Sequence, residues 1–160
     1  MSSLASIAFL ALPALLLTAC PLGPLPGGRL RGDVQRGEVR DWSFVSDVEQ
    51  CQLETNPADP YSVNTWCAGK GSDLYVPTSM IYGPLSPSER DWVRNVLADP
   101  RVRVRVDGVV YERTATRVDA EDEYAAARSL LERKYELDPD TLDPAREIWI
   151  YRMRPGSGLP

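Results

Sequence analysis

Arg101-Val102-Arg103-Val104-Arg105-Val106-Asp107-Gly108-Val109-Val110-Tyr111-Glu112-Arg113 decides the fold class of this 160-residue chain. The first six residues alternate strictly between charged and β-branched, the period of a strand with one buried face. Asp-Gly then supplies the two positions that a tight hairpin needs at positive φ. The predicted register sets Val106 opposite Val109, Val104 opposite Tyr111 and Arg103 opposite Glu112. The valines and Tyr111 then share one face, and Arg101, Arg103 and Arg105 form a ridge on the solvent side.

Outward from this hairpin, the next elements are helical. Ser86-Pro87-Ser88-Glu89 has the form of a capping box with proline at the first helical position, and predicts a helix through Trp92, Val93 and Leu97. Asp99-Pro100 ends it, because proline disfavours a helical predecessor. On the other side, Tyr124, Ala127, Leu131 and Tyr135 recur at helical spacing, which predicts a second helix over about Ala120 to Tyr135 entered through Asp119. Its acidic first turn, Glu121-Asp122-Glu123, suits the helix dipole.

The remaining segments read as strands. Val39, Trp42 and Phe44 approach alternation from Glu38 onward, Asp73 to Thr78 is a short β-rich run ended by Pro77, and Glu147 to Arg154 is rich in aromatic and β-branched residues. Between them Asn56-Pro57-Ala58-Asp59-Pro60-Tyr61 separates two further β-prone runs. A hairpin folded symmetrically about Asp59 sets Leu53 opposite Thr65 and Cys51 opposite Cys67, which predicts a disulfide. The spacing is not that of a redox C-x-x-C pair, and the chain has no His to complete a zinc site. About six strands and two helices predict an α+β, mainly β domain, a small antiparallel barrel with two helical caps.

The N-terminal stretch supplies an address. Ile7 to Ala19 carries no charge and is too short to cross a bilayer as a helix. It closes on Leu17-Thr18-Ala19-Cys20, which resembles the lipobox of bacterial lipoproteins, although Met1-Ser2-Ser3 lacks the usual basic residue. The resemblance implies a signal peptide over 1–19, acylation of Cys20 (a palmitate-type anchor), and a periplasm-facing place in the bacterial envelope. Pro21 in place of Asp favours the outer over the inner membrane. A Pro- and Gly-rich tether then fills 20–37, the folded domain spans 38–154, and 155–160 is a tail.

The order of elements resembles the split β-barrels of the pyridoxamine-phosphate-oxidase-like and deazaflavin-dependent nitroreductase-like flavoproteins over Glu38 to Arg154. The best local match is Leu74-Tyr75-Val76-Pro77-Thr78, then Trp92 to Val102 with its Asn95 and Asp99-Pro100, then the Asp107-Gly108 hairpin. The resemblance implies FMN or a deazaflavin held between two subunits of a homodimer. Arg90, Arg94 and Lys70 are the candidates for a phosphate clamp, with Trp92 standing where the oxidase branch tends to carry Lys. Haem, known in some split barrels, finds no His here.

Composition limits the chemistry. Without His there is no Ser-His-Asp or Cys-His nucleophile, no nucleotide-binding glycine motif occurs, and no metal site is indicated; no catalytic residue is assigned. A net charge of −5 gives no attraction to nucleic acid. Two functions follow. The hairpin arm Tyr61 to Trp66 has no basic residue, which favours a cofactor-free envelope protein that binds a small molecule or protein partner through Trp42, Tyr61, Trp66 and Trp92. The alternative is a membrane-anchored flavin- or deazaflavin-dependent oxidoreductase.

Overall fold

The computed structural model describes residues 26–156; the expected signal peptide over 1–19, Cys20 and the first third of the expected tether lie outside them. Among the described residues there are eight strands, two α-helices and three short 3-10 turns. In chain order these are β1 (Val34–Gln35), β2 (Cys51–Thr55), β3 (Tyr61–Thr65), β4 (Ala68–Lys70), β5 (Asp73–Pro77), α1 (Asp91–Ala98), β6 (Arg101–Val106), β7 (Val109–Arg117), α2 (Glu121–Lys134) and β8 (Ile150–Pro155). The sheet runs β3-β2-β6-β7-β8-β5-β4, antiparallel throughout, and β1 adds to β7 in parallel.

The β6–β7 hairpin has the predicted register, with Val106 paired to Val109, Val104 to Tyr111 and Arg103 to Glu112. Asp107 and Gly108 have φ of 47° and 80°, the double positive turn that matches strand twist. Val102, Val104, Val106 and Tyr111 enter the barrel interior with Leu53, Leu74, Val76 and Met153, and Trp92, Val93 and Val96 of α1 pack into the same core. Period two also carries Arg113 inward. Its guanidinium lies over the rings of Trp42 and Tyr111, 5.4 and 5.3 Å from their centroids, and donates to the Glu112 carbonyl at 2.7 Å. Burial pulls its pKa down.

A second apolar layer lies outside the barrel. Ala127 and Leu131 of α2 pack with Ala68, Tyr75, Val118 and Ile150, flanked by Tyr124 and Tyr135. The predicted helical stripe is therefore the docking face of α2. β5 is covered on both sides, since Leu74 and Val76 belong to the interior and Tyr75 to the outer layer.

Four features differ from the sequence reading. Residues near Glu38 form no strand; Ser43–Asp47 is a 3-10 turn that places Trp42 and Val45 in the core. The Ser86 hydroxyl contacts Ser88 rather than a helix amide, residues 87–89 make a 3-10 turn, and α1 starts only at Asp91. In β2–β3, Cys51 faces Thr65 and Leu53 faces Val63, two residues from the predicted register. The Cys51–Cys67 disulfide nevertheless forms, with Cα atoms 6.0 Å apart, because Cys67 lies at the corner between β3 and β4.

The fourth difference is at the N-terminus, where the folded unit begins well before Glu38. Gly27 pairs with Ser62 on the free edge of β3, and Leu30 is buried with its N–H donating to the Glu54 carboxylate at 2.5 Å. Arg103 bonds the same carboxylate at 3.1 Å and the Leu30 carbonyl at 3.0 Å, and Arg105 bonds the Arg31 carbonyl. The predicted arginine ridge is thus covered: two of its guanidinium groups satisfy the carbonyls of a strap over residues 27–35. At the other end β8 continues to Pro155, and Gly156 N–H still bonds Glu112.

Candidate functional site

A cavity of about 610 Å³ opens between the edge strand β3, the end of β5 and the start of α1. β3 brings Tyr61, Val63, Asn64 and Thr65 to one wall, and the chain's turn toward β4 adds Trp66. Pro77 and Thr78 line it where β5 ends, and Thr78 is locked by two bonds to Trp149, N–H to carbonyl at 2.8 Å and Trp149 N–H to its hydroxyl at 2.9 Å. The opposite wall is Glu89, Arg90, Asp91 and Trp92, and a loop through Ile81, Tyr82 and Pro84 completes the rim. The size is that of a small-molecule pocket.

Two of the aromatic rings that line this cavity are held firmly. Trp92 is buried edge-to-face against Tyr151, centroids 5.6 Å apart, so it is both core and wall. Trp66 stacks on Tyr135 at 4.2 Å with planes 11° apart. Tyr135 is fixed in turn, because its hydroxyl accepts from the Cys67 N–H at 2.9 Å and lies 3.0 Å from the carbonyls of Cys67 and Glu49. Burial and the nearby Asp91 carboxylate both raise the Tyr61 pKa, which keeps that phenol neutral and able to donate.

The charges do not favour an anion. Among the lining residues Arg90 is the one cation, against Glu89 and Asp91. Its guanidinium donates to the Tyr82 carbonyl at 2.7 Å, and burial together with the nearby Arg146 lowers its pKa. Arg94 does not line the cavity; it bonds the Ser88 and Glu89 carbonyls and pairs with Asp91. Lys70 is exposed at the end of β4 and also lies away from it. The three candidates for a phosphate clamp therefore do not converge. Of the four candidate contact aromatics, Tyr61, Trp66 and Trp92 meet here, whereas Trp42 belongs to the core.

Sequence reasoning missed Thr78, Glu89, Asp91 and the rim loop. The capping-box reading assigned Glu89 to a helix amide, and nothing in the periodicity of 79–85 marks a cavity wall. Among the described residues no group of three or more Cys, Asp or Glu could hold a metal ion.

A structure of an F420-H2 dependent reductase aligns over 66% of this chain and 94% of its own, at 18% identity and a TM-score of 0.52. The protein folds as a split β-barrel. Residues 68–138, fewer than half of the chain, match the family described as F420H(2)-dependent quinone reductase. An F420 reductase (19% identity, 72% and 94% coverage, TM-score 0.48) and a FAD-binding protein from Mesorhizobium loti (16%, 71% and 85%, 0.47) are looser neighbours of this split barrel. No curated protein is detectably similar in sequence.

Proposed function

We propose that this split barrel is a lipid-anchored protein of the bacterial envelope, facing the periplasm from the outer membrane, that binds a small uncharged planar molecule in the β3–α1 cavity. One observation carries the choice of ligand: the cavity's guanidinium, Arg90, is already bonded to a backbone carbonyl while two carboxylates share its wall. An anionic ligand would have to displace that bond and approach Glu89 and Asp91, whereas a neutral ring can lie against Tyr61, Trp66 and Trp92. The Cys51–Cys67 disulfide supports an address outside the cytoplasm, since such bonds persist in oxidising compartments. The lipobox-like Cys20 supports the anchor.

A second reading, a reductase using a flavin or deazaflavin in a homodimer, is supported by the family match over 68–138 and by the fold. The residues present do not fit the phosphate-bearing tail of such a cofactor, because Arg90 and Arg94 both already bind backbone carbonyls. A flavin-type cofactor would supply hydride or electron transfer when bound; the cavity contributes aromatic walls and the neutral Tyr61 phenol, and its one lining cation is bonded to the Tyr82 carbonyl.

Titration of the purified protein with FMN, a deazaflavin cofactor and uncharged coumarin separates the two. The expected result is saturable binding of coumarin, weakened by Trp66→Ala, with FMN and deazaflavin fluorescence unchanged. Saturable binding of either phosphate-bearing cofactor would replace the first reading by the second. The anchor is tested by Cys20→Ser, which should release the protein from membranes and abolish lipid labelling; retention in the membrane fraction would contradict it.

A further inference from the structure

The rim loop of the cavity has an unusual construction. Ile81, Tyr82 and Leu85 are 48, 66 and 45% exposed, three of the five large apolar side chains on the described surface, within five consecutive residues. The four consecutive backbone carbonyls from Tyr82 to Leu85 all accept from the protein side. Arg146 donates to the carbonyls of Tyr82, Gly83 and Pro84 at 3.1, 3.2 and 3.0 Å, Arg90 adds a second bond to Tyr82, and Leu85 accepts from the Glu147 N–H at 3.1 Å. The Ser79 hydroxyl accepts from the Tyr82 N–H at 3.0 Å. A loop facing only water has no need of this, because water satisfies exposed carbonyls. A loop that enters the boundary of a bilayer does need it, since acyl chains offer its backbone no partner.

The course of the N-terminal strap points to the same occupant. Gly27 is bonded to Ser62, between Tyr61 and Val63, both of which line the cavity that this loop rims. Gly27 is only seven positions along the chain from Cys20, a reach of at most roughly 25 Å fully extended. Acyl chains on Cys20 therefore hold the β3 edge of the cavity close to the lipid, with the apolar loop on the facing rim.

We infer that Ile81, Tyr82 and Leu85 form a membrane-docking tip that inserts at the headgroup boundary beside the acylated Cys20 and turns the cavity mouth toward the bilayer. This rests on the lipid-anchor reading. Tyr82 suits the boundary, with an apolar ring and a hydroxyl that stays wet. The tip is small, so insertion accompanies the anchor rather than replacing it.

The test uses the full chain, processed in a bacterial host and reconstituted into phosphatidylcholine vesicles with brominated acyl chains. Flotation reads the anchor, and quenching of the emission added by Tyr82→Trp reads the docking. The expected result is flotation together with loss of most of the added emission. In an Ile81→Glu/Leu85→Glu background the quenching should disappear while flotation and circular dichroism are unchanged. Flotation with an unquenched, iodide-accessible indole overturns the docking and leaves the anchor intact. An indole shielded from both bromine and iodide, with the mass of a dimer by light scattering, assigns the loop to a second copy of the chain and also overturns it. Failure to float removes the anchor, and the docking with it.

Discussion

The hairpins β6–β7 and β2–β3 both border the barrel interior and are both antiparallel, yet their registers have different origins. In β6–β7 two residues close the turn, both at positive φ, and every pair from Val106–Val109 to Arg101–Thr114 follows from that geometry. In β2–β3 the five residues Asn56 to Pro60 close the turn, with Asn56 alone at positive φ among them, and such a loop leaves more than one pairing open. Contacts from elsewhere choose among them. Asn95 of α1 donates to the Thr55 hydroxyl at 3.1 Å, Gln52 and Asn64 bond across the strands at 3.2 Å, and Leu53 fills the core opposite Val104. The disulfide follows the same logic. It closes a corner rather than a rung, and the corner is held by Tyr135 and by Lys134, whose ammonium bonds the Cys67 carbonyl at 2.6 Å.

The largest expected effect comes from removing that corner. Cys51→Ala with Cys67→Ala should lower the unfolding free energy by about 3 kcal/mol, measured by urea denaturation. Hydrogen exchange should then accelerate in β3 and β4 and leave β6–β7 protected; equal acceleration in both hairpins would show that they do not differ in origin.

Gly108→Ala tests the other hairpin. Its φ of 80° has room for a methyl group but not the left-handed preference, so a loss of about 1–2 kcal/mol is expected. The equilibrium change should concentrate in β6–β7, the pair whose register the turn defines.

Lys134 gives a pH-dependent effect of moderate size. Burial lowers its pKa to about 8, from an ordinary value of 10.5, so the folded state disfavours the charged form. Stability from this group is present above the unfolded value and declines as pH falls through about 8. Wild type should therefore gain on Lys134→Met between pH 8 and 10.5, read from urea midpoints of the two proteins. A constant difference across that window would mean that the ammonium titrates normally beside Cys67. Tyr135, raised to about 12 by burial, acts oppositely at higher pH: its contribution is complete below 10 and declines from there to about 12.

The smallest effect should come from one glycine inserted between Ala58 and Asp59. Loop-closure entropy changes by less than about 0.6 kcal/mol for so small an extension. The same insertion after Gly108 should cost clearly more, because it destroys a turn with no slack. Similar costs at the two sites would remove the distinction between a turn-set and a contact-set register.

Sequence by itself determined what local physics determines. Alternation and the Asp107-Gly108 turn gave β6–β7 residue by residue, helical spacing gave α2 with its buried face, Asp99-Pro100 gave the end of α1, and cysteine chemistry gave the Cys51–Cys67 pair. Each depends on neighbours within a few residues or on a residue type with one strong partner. Tertiary structure decided the rest. Arg103 and Arg105 look like a solvent face until a strap of the chain some 70 residues earlier lies on them. Arg90 looks like a free cation until the Tyr82 carbonyl takes it. Trp42 reads as strand until the core claims its ring. In each case the side chain's partner lies outside the element that carries it, and no period or local propensity records which segment that is.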